Sequence, residues 1–180
     1  MAGFRGLRRA VSAKAYELSE LGGIDEESIA LLHVLRTVVI RLAEVRLQTT
    51  GLQQHCEVLV PYLRVAMAYQ RIEHFRVVYY DNSGVFITDE LQQHGTIDHS
   101  PVYPREILRR AISLNASTII IAHNHPSNNP TPSSQDISMT RTLSEALMCI
   151  GVVLFDHIII CQSGYISFRE CGLITERCTS

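Results

Sequence analysis

Residues Thr118-Ile119-Ile120-Ile121-Ala122 form a short β-branched run that ends in His123-Asn124-His125-Pro126. A run of that kind reads as a buried strand, and it commits the chain to a sheet. Residues two apart in a strand share a face. His123 and His125 therefore present both imidazoles to one point, while Asn124 faces away and Pro126 stops the strand. Asp136 follows after ten intervening residues, in the first turn of a predicted helix. Two neutral imidazoles and a carboxylate make a three-ligand set suited to zinc, with a fourth position left for water. Ser133-x-x-Asp136 also reads as a helix capping box, and a strand histidine is more often a core or surface residue than a ligand. The residues alone leave both readings open.

The other elements are arranged around this strand. Helical spacing over Ala10 to Leu21 is broken by Gly22-Gly23. Asp25-Glu26-Glu27 caps an amphipathic helix over about 25–48, with Ile29, Leu32, Leu35, Val39 and Leu42 at helical intervals. Gln48 to Gln54 reads as a polar connector and Val58 to Tyr69 as a helix, with Pro61 tolerable only in its first turn. Glu73 to Tyr80 and Val85 to Leu91 flank the turn Asp81-Asn82-Ser83-Gly84 and predict a hairpin. Pro104 to Leu114 reads as a helix, as does Ser134 to Cys149. Val152 to Cys161 reads as a long apolar strand, and Tyr165 to Phe168 as a short last one. The order ββ-α-β-α-ββ predicts an α/β fold with a mixed sheet flanked by helices.

Composition narrows the class. With 46% hydrophobic and 19% charged residues, the 180-residue chain reads as one globular domain with a small appendage. No apolar run approaches a membrane span. Five scattered cysteines without a Cys-x-x-Cys pair fit reduced thiols, hence a cytoplasmic protein, with Cys149 and Cys161 expected in the core. The basic stretch Met1 to Ala15 reads as a surface helix rather than a transit peptide. Net charge is +2 over residues 1–72 (nine basic, seven acidic) and −4 over residues 73–180 (seven basic, eleven acidic). An acidic second part is a poor match for a phosphodiester substrate.

His123-x-His125, seven residues, Ser133, two residues, Asp136 is similar to the signature of the JAMM (MPN-plus) metalloprotease-like domains. His123-Asn124-His125-Pro126-Ser127, Pro130-Thr131-Pro132-Ser133 and Asp136-Ile137 resemble the RadC branch of that group. So do Phe75 to Asp81, Gly95-Thr96, Pro104-Arg105-Glu106-Ile107 and Asp156-His157. The likeness is dense over about residues 70–170. It implies a JAMM/MPN domain of cytidine-deaminase-like architecture over 56–180. Residues 1–55 then resemble a truncated helix-hairpin-helix, as if an earlier portion were absent. Gly23-Ile24-Asp25 stands where the family tends to show Gly-Ile-Gly. An aspartate there repels phosphate, so DNA contact through residues 1–50 is expected to be weak and salt-sensitive.

The resemblance further implies zinc held by His123, His125 and Asp136. Glu73, just before the first strand, is implied as the general base, with Glu90 as the alternative. Ser133 is implied to help hold the oxygen that becomes negative in a tetrahedral intermediate. The expected activity is zinc-dependent hydrolysis of a peptide or isopeptide bond in a peptide or protein substrate. The alternatives are a metal-dependent nuclease and a DNA-repair accessory or scaffold protein. A zinc nucleobase deaminase is excluded, because its Pro-Cys-x-x-Cys ligands are absent.

Overall fold

A computed structural model describes residues 10–11, 13, 15–20, 23–94 and 103–174. Most of the basic stretch expected as a helix over 1–15, and Cys178, lie outside them. The elements are α1 (Ala15–Ser19), α2 (Glu26–Thr49), a 3₁₀ turn (Leu52–Gln54) and α3 (His55–Met67). Then come β1 (His74–Tyr80), β2 (Phe86–His94), α4 (Pro104–Ser113), β3 (Thr118–Asn124), α5 (Ser134–Met148), β4 (Val153–Ile160) and β5 (Tyr165–Ser167). The fold is α/β, with a five-stranded open sheet in the order β2-β1-β3-β4-β5. It is mixed: β3 and β4 run parallel, and the other neighbours are antiparallel. The strand read first in the sequence is the central one.

Alternation along the strands divides the core into two layers. Phe75, Val77 and Tyr79 of β1 and Ile119 and Ile121 of β3 pack with Ile107 and Ala111 of α4 and Leu143 and Leu147 of α5. Val78, Tyr80, Ile120, Ala122, Ile158 and Ile160 face the other way, onto α2 and α3. The first layer sets the site, because His123 continues the parity of Ile119 and Ile121 toward the start of α5.

Three expectations are corrected. Helix α3 begins at His55, so Pro61 lies inside it rather than in its first turn. Pro61 is exposed while Leu59, Val60, Tyr62 and Leu63 are buried. Packing on that face outweighs the one backbone bond that proline removes. Cys161 is buried as expected, but Cys149 ends α5 and is exposed. In α2 the helical period is right, but the expected stripe is covered only at its start, where Ile29 is buried and Leu32 packs beside it. Ile29 and Leu47 are buried and Ile40 and Ala43 pack on the core, whereas Leu35 and Leu42 are 41% and 63% exposed. Leu31, Val38 and Val45 continue that exposed stripe. The helix is apolar around much of its circumference, so periodicity could not say which side would be covered.

Candidate metal centre

The site is built where β3 leaves the sheet. His123 pairs across to Phe75 of β1 and to Ile159 of β4, and its side chain is 2% exposed. His125 lies one residue past the strand, and its N–H still donates to the Ile160 carbonyl at 2.9 Å. That bond keeps the strand direction for one more residue, so the two rings point the same way. Their Nε2 atoms lie 2.9 Å apart.

Helix α5 supplies the carboxylate. Ser133 is its N-cap, and the capping box is formed. The Asp136 N–H donates to Ser133 Oγ at 3.1 Å, and the Ser133 N–H donates to Asp136 Oδ2 at 2.7 Å. The capping-box reading holds, and the box leaves Asp136 facing both imidazoles. The box fixes the Asp136 side chain, with Oδ1 3.3 Å from His123 Nε2 and Oδ2 3.6 Å from His125 Nε2.

Glu73 completes the group from the residue before β1, with Oε1 3.5 Å from His123 Nε2. Asn124 helps place it. The fully buried Asn124 amide donates to the Ile72 carbonyl at 3.1 Å, and its oxygen accepts from the His74 N–H at 2.8 Å. The backbone is clamped on both sides of Glu73. One ligand atom from each of Glu73, His123, His125 and Asp136 lies within 4.8 Å of the others. The five residues expected at the site, Ser133 included, are brought together. Glu90 is not in this group; its carboxylate pairs with Arg110 through Arg110 Nε at 2.7 Å.

Each of the two rings has an outer partner on Nδ1. His125 Nδ1 lies 2.7 Å from the Asn129 carbonyl, which can only accept, so a neutral His125 carries its proton there, and only its charged form has an Nε2–H to donate to Asp136. His123 Nδ1 lies 2.7 Å from Nε2 of the fully buried His157. Burial holds His123 down to about 4 and His157 well below the ordinary histidine value. Burial alone would raise Asp136, but bonds from His125, the nearby His123 and the bonds from Ser133 hold it well below the carboxylate range. His125 is raised, first by its bond to Asp136.

A stability prediction follows for the metal-free protein. His123 titrates near 6.5 unfolded and near 4 folded, so between these values the unfolded chain binds more protons. Its contribution is intact above the unfolded value and is lost as pH falls from about 6.5 toward 4, on the order of 3 kcal/mol. His157 acts in the same direction and His125 in the opposite one. Urea unfolding at about pH 7 and about pH 4 should show lower stability in acid, with a shallower slope in His123→Gln. Equal stability at both pH values contradicts it.

A second group, His55, Cys56 and Asp156, also lies within 4.8 Å. Its chemistry is less suited to a cation. Asp156 accepts from the His157 N–H at 2.7 Å, the Ser167 hydroxyl at 2.6 Å and the Arg169 N–H at 3.0 Å. Burial first, then Glu170, push the Cys56 thiol up to about 12, and a protonated thiol is a poor ligand. Asp156 ties the start of α3 and the end of β5 to β4.

A family model described as a RadC-like JAB domain matches residues 53–173. A UPF0758 protein of Ruegeria pomeroyi is 41% identical over 171 residues, covering 95% of this chain and 76% of the relative. A UPF0758 protein of Rhodobacter capsulatus is 39% identical over 171 residues, covering 95% of this chain and 80% of that protein. The strand order, the cluster at the end of β3 and these likenesses agree: the chain belongs to the RadC family of JAB-domain proteins.

Proposed function

We propose that the chain is a zinc-dependent hydrolase of peptide or isopeptide bonds, with His123, His125 and Asp136 as metal ligands. The observation that carries this is the meeting of two imidazole Nε2 atoms and a carboxylate at one point. The two Nε2 atoms lie 2.9 Å apart, close enough for both to hold one cation. Zinc bonds of about 2.0–2.1 Å in a tetrahedron place ligand atoms about 3.3 Å apart, and the separations here run from 2.9 to 3.6 Å. When bound, zinc supplies a Lewis acid and an acidified water at neutral pH.

The remaining chemistry belongs to the protein. Glu73 takes the proton of the attacking water and returns it to the leaving nitrogen. Asn124 keeps that carboxylate in place through the backbone. Ser133 Oγ lies 2.7 Å from Asp136 Oδ2, and its hydroxyl is proposed to turn toward the oxygen that gains charge. The acidic balance of residues 73–180 favours a peptide over a nucleic acid. DNA contact through residues 1–50 is proposed to be weak, because the Asp25 carboxylate accepts from the Ser28 N–H at 2.7 Å and so occupies the α2 N-terminus that a phosphate would use. We further propose a cytoplasmic location: the cysteines among the described residues are free thiols. No helix among the described residues is long and apolar enough to cross a membrane.

The test is elemental analysis of the purified protein with a mass-spectrometric screen of a peptide library. About one zinc per chain is expected, with cleavage abolished by chelation and restored by zinc. Cleavage that persists in the chelated, metal-free protein overturns the reading.

A further inference from the structure

We propose that His157 and Thr140 are positioning residues that set the tautomer of His123 and hold its Nε2 lone pair toward the Glu73–His125–Asp136 cluster. The inference rests on the reading of that cluster as a metal centre.

The argument follows one proton at a time. Thr140 Oγ1 lies 2.5 Å from the Asp136 carbonyl oxygen. Two oxygens approach so closely only with a hydrogen between them, and a carbonyl has none to give. The Thr140 hydroxyl therefore donates to that carbonyl and has only lone pairs left. His157 Nδ1, 2.6 Å from the same oxygen, must then carry a proton and donate it. A neutral imidazole with its proton on Nδ1 has a bare Nε2. That atom lies 2.7 Å from His123 Nδ1, so the proton of this contact belongs to His123. His123 is left with a bare Nε2, the atom aimed at Asp136 and His125. Reversing any link puts a proton on His123 Nε2 and closes it to a metal.

The chain of bonds starts on the backbone of Asp136, itself a proposed ligand. The first turns of α5 thus present one ligand directly and orient another through Thr140 and His157. All three residues are buried: Thr140 is 3% exposed, His157 0% and His123 1%. No water competes for these bonds. A ring that donates its outer N–H to a fixed acceptor is a more basic and better oriented ligand.

The test has two readouts. In the metal-free wild-type protein, nitrogen-15 NMR of the histidine rings should show His123 protonated on Nδ1 and bare on Nε2. In zinc titrations against a competing chelator, His157→Leu should bind on the order of 10–100-fold more weakly than wild type. His157→Gln offers an amide oxygen near the position of Nε2 and should recover most of that loss. A merely space-filling role predicts no such recovery by glutamine over leucine. Should His157→Leu fail to fold, the near-isosteric Thr140→Val carries the test, with weaker zinc binding and a mixture of His123 tautomers expected. A His123 proton on Nε2 in the wild type overturns the proposal, as does wild-type zinc affinity in both His157→Leu and Thr140→Val. If the wild type binds no zinc, the metal reading fails and this proposal with it. The tautomer measured without metal separates that failure from an error in the hydrogen-bond chain.

Discussion

His123→Ala, His125→Ala and Asp136→Ala proteins are expected to emerge from purification without zinc and without hydrolytic activity. Each substitution removes one of the three proposed ligands, and two remaining donors would not hold the ion against solvent. Elemental analysis at matched concentration reads the result directly. Full occupancy in any of the three places the metal elsewhere. Asp136 needs a finer dissection, because its carboxylate also closes the capping box. Asp136→Ala loses both jobs and should cost roughly 1 kcal/mol more in stability than the metal alone explains. Asp136→Asn keeps an oxygen for the Ser133 N–H but lacks the charge, so it should keep its helix start and lose most of its zinc. Ser133→Ala should do the reverse, keeping zinc while unfolding at lower denaturant by roughly 1 kcal/mol. A Ser133→Ala protein without zinc would show that the cap is what holds Asp136 in place.

What could be read in advance was local. His123 and His125 are two apart on a strand, and Ser133 and Asp136 are three apart at a helix start. Such spacings fix geometry without knowledge of the rest of the chain. Glu73 lies fifty residues from His123, and only the family resemblance marked it. The structure brings it in because β1 pairs with β3 in the register Phe75 to His123.

Of the supporting residues, Asp156-His157 carried such a mark, as a pair that resembles the RadC branch. Asn124 looks like the outward residue between two ligands, and its bonds reach back to residues 72 and 74. Nothing in the spacing of Thr140 and His157 shows that a helix and a strand will bring them within 2.6 Å. Asp156 and His157 are adjacent, yet strand alternation sends Asp156 to the start of α3 and His157 to the centre. Long-range register decides these contacts, and a single sequence does not display it. The exposed stripe on α2 shows the same limit: an apolar period tells that a helix forms, not what covers it.

Glu73→Gln is expected to keep wild-type zinc and to lose hydrolysis by a factor on the order of 10²–10⁴. Glutamine preserves the length of the side chain and a hydrogen-bonding oxygen, but it cannot take a proton. The residue is well placed for the comparison. Its side chain is 35% exposed, with Oε1 3.5 Å from His123 Nε2. The backbone on both sides of it is held by Asn124, so the substitution should leave the loop in place. Glu90→Gln is the control. Glu90 is paired with Arg110, and that change should alter stability slightly and leave the rate per bound zinc near wild type. A peptide from the library screen serves as substrate for both, with zinc measured on the same samples. Loss of zinc in Glu73→Gln would make Glu73 a fourth ligand, consistent with its place within 4.8 Å of the other three but not with a base. Retained zinc with retained activity in Glu73→Gln, together with an inactive Glu90→Gln, would move the proton transfer to Glu90 and leave the metal centre where it is.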